Sequence, residues 1–331
     1  MKRLIAFVGA ILLCLRTMAQ PAPALPNRPM LITTVRTGDT EVFTVNPVTG
    51  DARNLTRSPT SEDRYASWSY DGKRVIFTSN RHESGQPGGT NYNVYVMDVD
   101  DRKVGPARQV THEQGVCYYP NFAADGKTVE YSFADDKAGI AQIITISVDG
   151  TNRRVVCDGR DGHISADGRK VVFTKKSAKG FPLFTVNTDG SGLTQITSDH
   201  VNDLGAVGPV WSPDGQRILY VDQVNDKLEL FICHADGSNV RQLTRLNQMS
   251  TSPAWSPDGQ WITFRVTDNA FWRETDVREK TYQEKRADKR PVYALRLGRC
   301  VDSPTYRSTP LPVRYRRKPW QLAAGTMNPQ R

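Results

Sequence analysis

The side chains best suited to catalysis or metal binding are sparse in this chain of 331 residues, which has only five histidines. His82-Glu83 and His112-Glu113 both begin like the His-Glu-x-x-His motif of zinc peptidases, but neither has a second histidine four positions after the first. The sequence also lacks a Gly-x-Ser-x-Gly nucleophile elbow, a P-loop and a dinucleotide fingerprint. These observations favour a non-catalytic protein without metal or cofactor. A cluster assembled from distant loops is the alternative.

The cysteines allow more than one interpretation. Four of them lie beyond the N-terminal region, at Cys117, Cys157, Cys233 and Cys300, and their wide spacing fits no zinc pattern. If the chain is exported, they reach an oxidising compartment in which disulfides form. Four cysteines allow three pairings, and the sequence does not choose among them. The other interpretation is that they are small buried hydrophobic side chains.

The net charge of +9 is concentrated at the two ends of the chain. Residues 1–19 carry three Lys/Arg and no acid, and residues 296–331 carry eight Lys/Arg against one Asp. The body between them is close to neutral, which argues against a nucleic-acid-binding domain. We interpret residues 317–331 as a basic, solvated C-terminal tail, with a binding patch as the alternative.

The first 19 residues have the pattern of a secretory signal peptide. Lys2 and Arg3 precede an apolar stretch at 4–15, and Ala19 offers a small residue before a cut. Residues 20–30 follow as a linker rich in proline and alanine. This pattern predicts a periplasmic or secreted protein whose mature chain has no stable membrane insertion. An uncleaved N-terminal anchor is the alternative.

A repeated hexapeptide organises the body of the chain. Residues 211–216 read Trp-Ser-Pro-Asp-Gly-Gln, residues 255–260 repeat them, and weaker copies lie at 68–73, 122–127 and 164–169. Proline and aspartate suit the central positions of a type I turn, and glycine closes a hairpin in the left-handed conformation. The Asp-Gly pairs are therefore predicted to be structural turn residues: Asp71, Gly72, Asp125, Gly126, Asp167, Gly168, Asp214, Gly215, Asp258 and Gly259.

Two hairpins per repeat indicate a propeller blade. A second Asp-Gly turn follows most hexapeptides, as at Asp189-Gly190 and Asp236-Gly237. Two hairpins give four strands, which is one blade. Five full repeats follow a partial one that lacks its first strand. The sequence thus predicts an all-β fold over residues 31–316: a six-bladed β-propeller of four-stranded antiparallel blades. Residues 310–316 are expected to supply the missing inner strand and close the ring.

The Trp-Ser-Pro-Asp-Gly motif, with a partner strand that ends in Asp-Gly and then Leu-Thr, resembles the TolB-type β-propeller repeat. Residues 75–81, followed by 94–98, are especially similar to it. The resemblance covers residues 31–305 and implies the propeller fold. The α/β domain that precedes the propeller in TolB, and the hydrolase domain of propellers fused to serine peptidases, have no counterpart in the sequence. A bare propeller is therefore expected.

Binding residues tend to lie on variable loops held by a rigid scaffold. In a propeller the short hexapeptide turns share one face, so the loops between strands two and three and between blades share the other, which we call the loop-rich face. Tyr118 and Tyr119, just before an inner strand, are predicted to line the funnel there. The other candidates are Arg81, His82, His200, Asp203 and Arg245 on loops, and Phe271 and Trp272 in the charged insertion 267–290. For each loop candidate, an ordinary solvated residue is the alternative.

These patterns predict an exported, non-catalytic scaffold that binds a protein or peptide of the bacterial cell envelope through the loop-rich face. The TolB resemblance implies this mode of binding without identifying the partner. A glycan-binding or glycan-cleaving enzyme with its site in the funnel is the alternative, and a purely structural role is the third possibility. Acidic pairs or histidines at the funnel mouth would favour the enzyme, whereas aromatic and neutral polar residues would count against it.

Overall fold

The computed structural model describes residues 29–34, 40–58, 60–83, 91–100, 103–178, 180–198, 208–225, 227–267, 292–296 and 309–310. The regular elements within these residues are 23 β-strands and one 3-10 turn at Arg81–Glu83. The predicted signal peptide, most of the linker, nearly all of the insertion 267–290 and the C-terminal tail lie outside them. Within the described part of the chain, no helix is long and apolar enough to span a membrane.

The first four sheets follow the repeats along the chain. The first sheet has three strands: β1 (Met30–Thr34), β2 (Glu41–Val45) and β3 (Ala52–Asn54). The second contains β4 (Asp63–Trp68), β5 (Arg74–Ser79), β6 (Asn93–Asp98) and β7 (Arg108–Gln109). The third contains β8 (Val116–Phe122), β9 (Thr128–Asp135), β10 (Ile140–Ser147) and β11 (Arg154–Asp158). The fourth contains β12 (Arg160–Ile164), β13 (Lys170–Thr174), β14 (Leu183–Asn187) and β15 (Thr194–Gln195).

The last two repeats share one sheet of eight strands. The earlier repeat supplies β16 (Val210–Trp211), β17 (Arg217–Val224), β18 (Lys227–His234) and β19 (Arg241–Gln242). The later repeat supplies β20 (Met249–Trp255), β21 (Trp261–Thr267), β22 (Val292–Arg296) and β23 (Thr309–Pro310).

The described residues form an all-β propeller with five blades, so the prediction of six separate blades is wrong. A parallel bridge between Leu228 and Met249 joins β18 to β20 and merges the last two repeats into one sheet. A similar bridge links Tyr92 to Val116, but Tyr92 lies outside β6, so the second and third sheets remain separate. The number of sequence repeats therefore does not equal the number of sheets.

Of residues 310–316, which were predicted to close the ring, the structure describes only Pro310. For this residue the prediction is wrong. Pro310 lies in β23 and pairs with Tyr293 of β22, at the outer side of the last sheet. It does not add to β1, whose register is with β2. Residues 311–316 lie outside the described part of the chain.

Four of the five hexapeptide turns, those with serine at the second position, close by one repeated pattern of hydrogen bonds. In the first, the Ser69 hydroxyl donates to Asp71 Oδ1 at 2.6 Å, and the Gly72 N–H donates to the Ser69 carbonyl at 2.9 Å. The same serine hydroxyl accepts the N–H of Arg74 at 2.9 Å, at the start of the next strand. Gly72 has φ of 68°, a conformation that glycine adopts at little cost. The turn therefore fixes the register of the hairpin that it closes.

The core consists of several hydrophobic clusters, and each contains residues of two consecutive repeats. Val42 of β2 packs with Val75 and Phe77 of β5 in one such cluster. Ile76 of β5 packs with Tyr131 of β9 in the next. Burial of apolar surface thus stabilises the contacts between repeats as well as each sheet.

Arginines add polar contacts between neighbouring repeats. Arg53 donates from Nη1 to the carbonyl of Asp100 at 2.8 Å, and Arg108 donates to the carbonyl of Val148 at 2.9 Å. Arg154 donates in the same way to Asp189, at 2.6 Å. Each arginine lies on the last strand of its repeat and reaches the turn before the last strand of the next one. These bonds fix the rotation of one repeat against its neighbour.

In several repeats, a threonine two residues after the last strand hydrogen-bonds to the strand before it. The hydroxyl of Thr244 accepts the N–H of Leu230 at 2.9 Å and donates to Glu229 Oε2. The other oxygen of Glu229 accepts the N–H of Asn247 at 2.9 Å, so the loop toward β20 is held against β18. Thr56, Thr111 and Thr197 accept the N–H of Val42, Val94 and Leu183 in the same way.

Replacing Thr244 with valine is therefore expected to lower the free energy of unfolding by about 1–3 kcal/mol, because a buried N–H and a carboxylate oxygen lose their partner. Urea unfolding measures the change. Thr194→Val is the matched control, since the Thr194 hydroxyl is exposed, and its effect should stay within about 0.5 kcal/mol. Equal effects of the two substitutions would contradict this role of Thr244.

Candidate functional site

The first strand of each full repeat lies next to the first strand of the following repeat. β4 contacts β8, β8 contacts β12, β12 contacts β16, and β16 contacts β20. These inner strands surround the centre of the propeller, which we call the central channel. The sheets to which these strands belong hold their exposed residues in place.

Four inner strands contain a residue of positive φ three positions before their last residue, and in the repeat of β16 the equivalent residue lies just before the strand. These residues are Tyr65 (52°), Tyr119 (51°), Asp161 (54°), Gly208 (34°) and Ser252 (53°). In four of the repeats the pairing with the second strand shifts register at this residue, which marks a β-bulge. Bulges turn side chains away from the regular alternation of a strand, so they aim these residues differently from their neighbours.

Three tyrosines meet at the first two bulges, and we call them the tyrosine platform: Tyr65, Tyr118 and Tyr119. The ring centroids of Tyr65 and Tyr119 are 4.5 Å apart, and those of Tyr118 and Tyr119 are 5.6 Å apart. Tyr65 and Tyr119 remain 38% and 39% exposed. The Ser67 hydroxyl donates to the carbonyl of Pro120 at 2.8 Å, which ties the two inner strands together beside the rings. The platform is therefore an accessible aromatic surface on a rigid support.

Two carboxyl groups lie next to the platform. Asp161 stands at the bulge of β12 and acts electrostatically on Tyr118 and Tyr119. Burial raises the pKa of Asp161 to about 6, against the opposing charge of Arg160 and a hydrogen bond with Thr174. Burial also raises the pKa of both tyrosine hydroxyls, so these hydroxyls stay protonated at neutral pH.

Glu130 is the second carboxyl group, and it lies deeper. Its side chain is fully buried, and neither carboxylate oxygen makes a well-aligned hydrogen bond, although the Asn121 amide acts on the carboxyl group as a nearby donor. A Cβ placed on Gly162 would lie 2.1 Å from Oε1, so the missing side chain of this glycine makes room for the carboxyl group. Burial raises the pKa of Glu130 well above its usual range, an effect that Asn121 opposes and Asp161 reinforces.

Asn121 and His163 complete the polar part of the site. The Asn121 amide donates to the carbonyl of Tyr119 at 2.8 Å, which links it to the platform. His163 Nδ1 accepts the N–H of Trp211 at 3.3 Å, and burial lowers the pKa of this histidine to about 4. His163 is therefore a neutral hydrogen-bonding group at physiological pH.

The structure places two of the predicted loop residues in contacts within the fold. Arg81 Nη2 is 3.0 Å from both carboxylate oxygens of Asp63, and its guanidinium lies over the rings of Phe77 and Tyr95. His82 Nε2 is 3.2 Å from the side-chain nitrogen of Asn93. Neither residue adjoins the tyrosine platform in these contacts.

The remaining predicted site residues are distributed differently. Tyr118 and Tyr119 lie together in the platform. Arg245 is exposed after the last strand of its repeat. Four candidates lie outside the described residues: His200, Asp203, Phe271 and Trp272.

The described part of the chain has no group of three or more His, Cys, Asp or Glu residues arranged to hold a metal ion. The described cysteines, Cys117, Cys157 and Cys233, are free thiols, and Cys300 lies outside the described residues. Burial raises the pKa of Cys157 and Cys233 to about 12, so both remain unreactive thiols near neutral pH.

Sequence reasoning missed Tyr65, Asp161 and Glu130. The first two could have been found by alignment, because they stand three residues before the aromatic or isoleucine that opens a hexapeptide, as Tyr119 does. Glu130 had a weaker signal: it is a charged residue in a strand that otherwise reads as buried.

Comparison with family models and with curated protein sequences gives no match. Among solved structures, a TolB-type protein from Agrobacterium tumefaciens matches with a TM-score of 0.59 and 18% identity, over 80% of this chain and 86% of that one. TolB from Acinetobacter baumannii matches with a TM-score of 0.61 and 14% identity, over 85% of this chain and 63% of that one. A chain of a nidogen/laminin complex matches with a TM-score of 0.57 and 14% identity, over 82% and 90%. These similarities show a TolB-like β-propeller fold, and the chain spans less than two thirds of the Acinetobacter protein.

Proposed function

We propose that this protein is an exported, non-catalytic propeller scaffold that binds a protein or peptide of the bacterial cell envelope at its loop-rich face. The observation that carries the proposal is the exposed tyrosine platform in the central channel. The signal-like N-terminal sequence supports export, and the likeness to TolB structures supports a binding scaffold.

The platform suits protein recognition for two physical reasons. Tyrosine provides a large contact area with few rotatable bonds, so little conformational entropy is lost on binding. The rings already contact one another and rest on paired strands, so the surface needs little reorganisation when a partner arrives.

The backbone supplies a further argument. A bulky residue at positive φ costs on the order of 1 kcal/mol or more compared with glycine. At the equivalent position of another repeat, just before β16, the chain has Gly208, whereas Tyr65 and Tyr119 keep large side chains there. Side chains retained against the preference of the backbone are best explained by a role in binding.

Replacing Tyr119 with alanine is therefore expected to weaken partner binding by about 10- to 100-fold, the effect of losing a central aromatic contact. The measurement captures proteins from envelope extract on the purified protein and quantifies each by mass spectrometry. Tyr70→Ala is the matched control, because Tyr70 is 43% exposed but lies in a hexapeptide turn. A partner that binds wild type and both variants equally would contradict the proposal.

A glycan-binding or glycan-cleaving enzyme is the second candidate, favoured by one observation. Asp161 and Glu130 form an acidic pair with raised pKa values beside aromatic rings, and glycosidases use carboxyl groups of this kind as general acids. Incubation of the same purified protein with cell-wall polysaccharide, followed by measurement of the polysaccharide chain length, distinguishes the two functions. Chain shortening that Asp161→Asn abolishes would support the enzyme and contradict the scaffold.

A further inference from the structure

We propose that the tyrosine platform and Asp161 together bind a cationic side chain, lysine or arginine, of the partner protein. This inference rests on the proposed function and specifies the chemistry that the site selects. It is built on three features: the faces of the aromatic rings, the position of the carboxyl groups, and the balance of charge at the platform.

The aromatic rings offer the first part of the site. Their planes are inclined by 56° between Tyr65 and Tyr119 and by 72° between Tyr118 and Tyr119, so the rings do not stack in parallel on one another. The face of an aromatic ring carries negative charge density and attracts ammonium and guanidinium groups. The aliphatic stem of lysine or arginine can pack on the same rings while its charged end points onward.

The carboxyl groups next to the platform form the second part of the proposed binding site. Asp161 stands on the inner strand that follows Tyr119, one residue before Gly162. The carboxyl group of Glu130 lies directly against Gly162 and makes no well-aligned hydrogen bond. Burial favours the uncharged form of Glu130, so Asp161 is the group that supplies the negative charge. Asp161 would contact the ligand, and Glu130 lies behind it.

The arginines near the site offset the negative charge of Asp161 only in part. Arg160 is half exposed and reaches toward Asp136, with 3.9 Å between the charged atoms. The influence of Asp161 on the hydroxyl of Tyr118 exceeds that of Arg160, and its influence on Tyr119 exceeds that of Arg265. The potential at the platform is therefore set mainly by the carboxylate, which favours a cationic ligand.

The backbone at Asp161 supports a role beyond folding. Asp161 has φ of 54° at the position where another repeat has Gly208, so a charged residue stands where the backbone also accepts glycine. Asparagine tolerates this conformation as well as aspartate does. Asp161→Asn should therefore fold, and it removes the charge without changing the shape.

The probe for the test is n-butylammonium, which matches the end of a lysine side chain, with 1-butanol as its neutral counterpart. The full-length mature protein carries ¹³C-labelled tyrosine, and NMR follows the ring signals during titration. We expect butylammonium to shift the signals of the tyrosine platform and to bind at least about 10-fold more tightly than butanol, which corresponds to 1.4 kcal/mol. Asp161→Asn should remove this preference, whereas the exposed turn variant Asp236→Asn should keep it.

Three results would overturn the inference. Butanol could bind as tightly as butylammonium, the preference could survive in Asp161→Asn, or Ca²⁺ could shift the platform signals while butylammonium does not, which would indicate a metal site. A second variant, Tyr119→Leu, keeps the charge and removes one ring, and it should also weaken butylammonium binding. If Asp161→Asn still captures a partner that Tyr119→Ala loses, the proposed function stands and only the cationic specificity fails.

Discussion

Replacing Arg81 with methionine is expected to lower the free energy of unfolding by about 3–5 kcal/mol, because it leaves the carboxylate of Asp63 buried without its counter-ion. Asp63 is fully buried, and Arg81 Nη2 lies 3.0 Å from both of its oxygens. The Nε–H of Arg81 also donates to Ser79 at 3.0 Å. Methionine keeps much of the packing on Phe77 and Tyr95, so the decrease in the free energy of unfolding comes mainly from the lost charge. Urea unfolding measures it.

The pH dependence of Arg81→Met identifies the cause. Burial already raises the pKa of Asp63 while Arg81 lowers it, so losing Arg81 raises it further. A carboxyl group with a raised folded pKa destabilises the fold as pH rises from its unfolded pKa, near 4, through its folded pKa. The loss of stability in Arg81→Met should therefore be large at pH 7.5 and small at pH 4.

The control is Arg217→Met, which breaks the more exposed pair with Asp214 and should lower the free energy of unfolding by less than about 1 kcal/mol. Equal decreases in the free energy of unfolding in the two variants would contradict this role of the buried pair.

Replacing Glu130 with methionine should have the opposite effect and raise the free energy of unfolding by about 1–3 kcal/mol at pH 7.5. Glu130 is fully buried, neither of its oxygens makes a well-aligned hydrogen bond, and methionine has a similar length without the polar group. The gain is expected because a group that costs free energy in the folded state is removed. Thermal and urea unfolding of the two proteins side by side measure it.

The gain in Glu130→Met should depend on pH in a defined direction. Because the folded pKa of Glu130 is raised, wild-type stability falls as pH rises from the unfolded pKa, near 4.3, through the folded pKa. The advantage of methionine should therefore be small at pH 4 and largest at high pH. Glu130→Gln is the control: it removes the charge but leaves a buried polar group, so its gain should be smaller. If the Glu130→Met protein is less stable than wild type at pH 7.5, this would contradict the claim that the buried Glu130 carboxyl group destabilises the fold.

The sequence predicted the hairpins well, because their determinants are local. The hexapeptide at 68–73 lies between β4 (Asp63–Trp68) and β5 (Arg74–Ser79), and the hexapeptide at 211–216 lies between β16 (Val210–Trp211) and β17 (Arg217–Val224). Turn residues and alternating hydrophobic residues act over a few positions, so reading them in order is enough. The propeller class followed from counting these hairpins.

The number of blades could not be read from the same pattern. Whether two repeats form separate sheets depends on a single backbone bridge, Leu228 to Met249, held in part by Glu229 and Thr244. The position of β23 also depends on where the chain returns after residues 297–308, which no repeat specifies. Both features are set by tertiary contacts between segments that the sequence pattern treats as independent.

The site was predicted only in part, for a related reason. The sequence singles out Tyr118 and Tyr119 as residues just before an inner strand, whereas the structure places them within the inner strand β8. The bulge that brings Tyr65 and Asp161 to the same channel is a feature of backbone conformation, visible once the five inner strands are superposed. Arg81 looked like a binding residue because it is charged and follows a strand, but its partner Asp63 lies at the start of the preceding strand.

The most direct test of the account is photo-crosslinking of the full-length protein in intact cells. A photoreactive phenylalanine analogue replaces Tyr65, which is 38% exposed in the central channel, or Tyr70, which is 43% exposed in a hexapeptide turn. If the tyrosine platform binds the partner, the probe at position 65 should give one dominant crosslinked protein, and the probe at position 70 should not. A crosslink from position 70 alone, or the same products from both positions, would contradict the central claim that the partner binds at the platform.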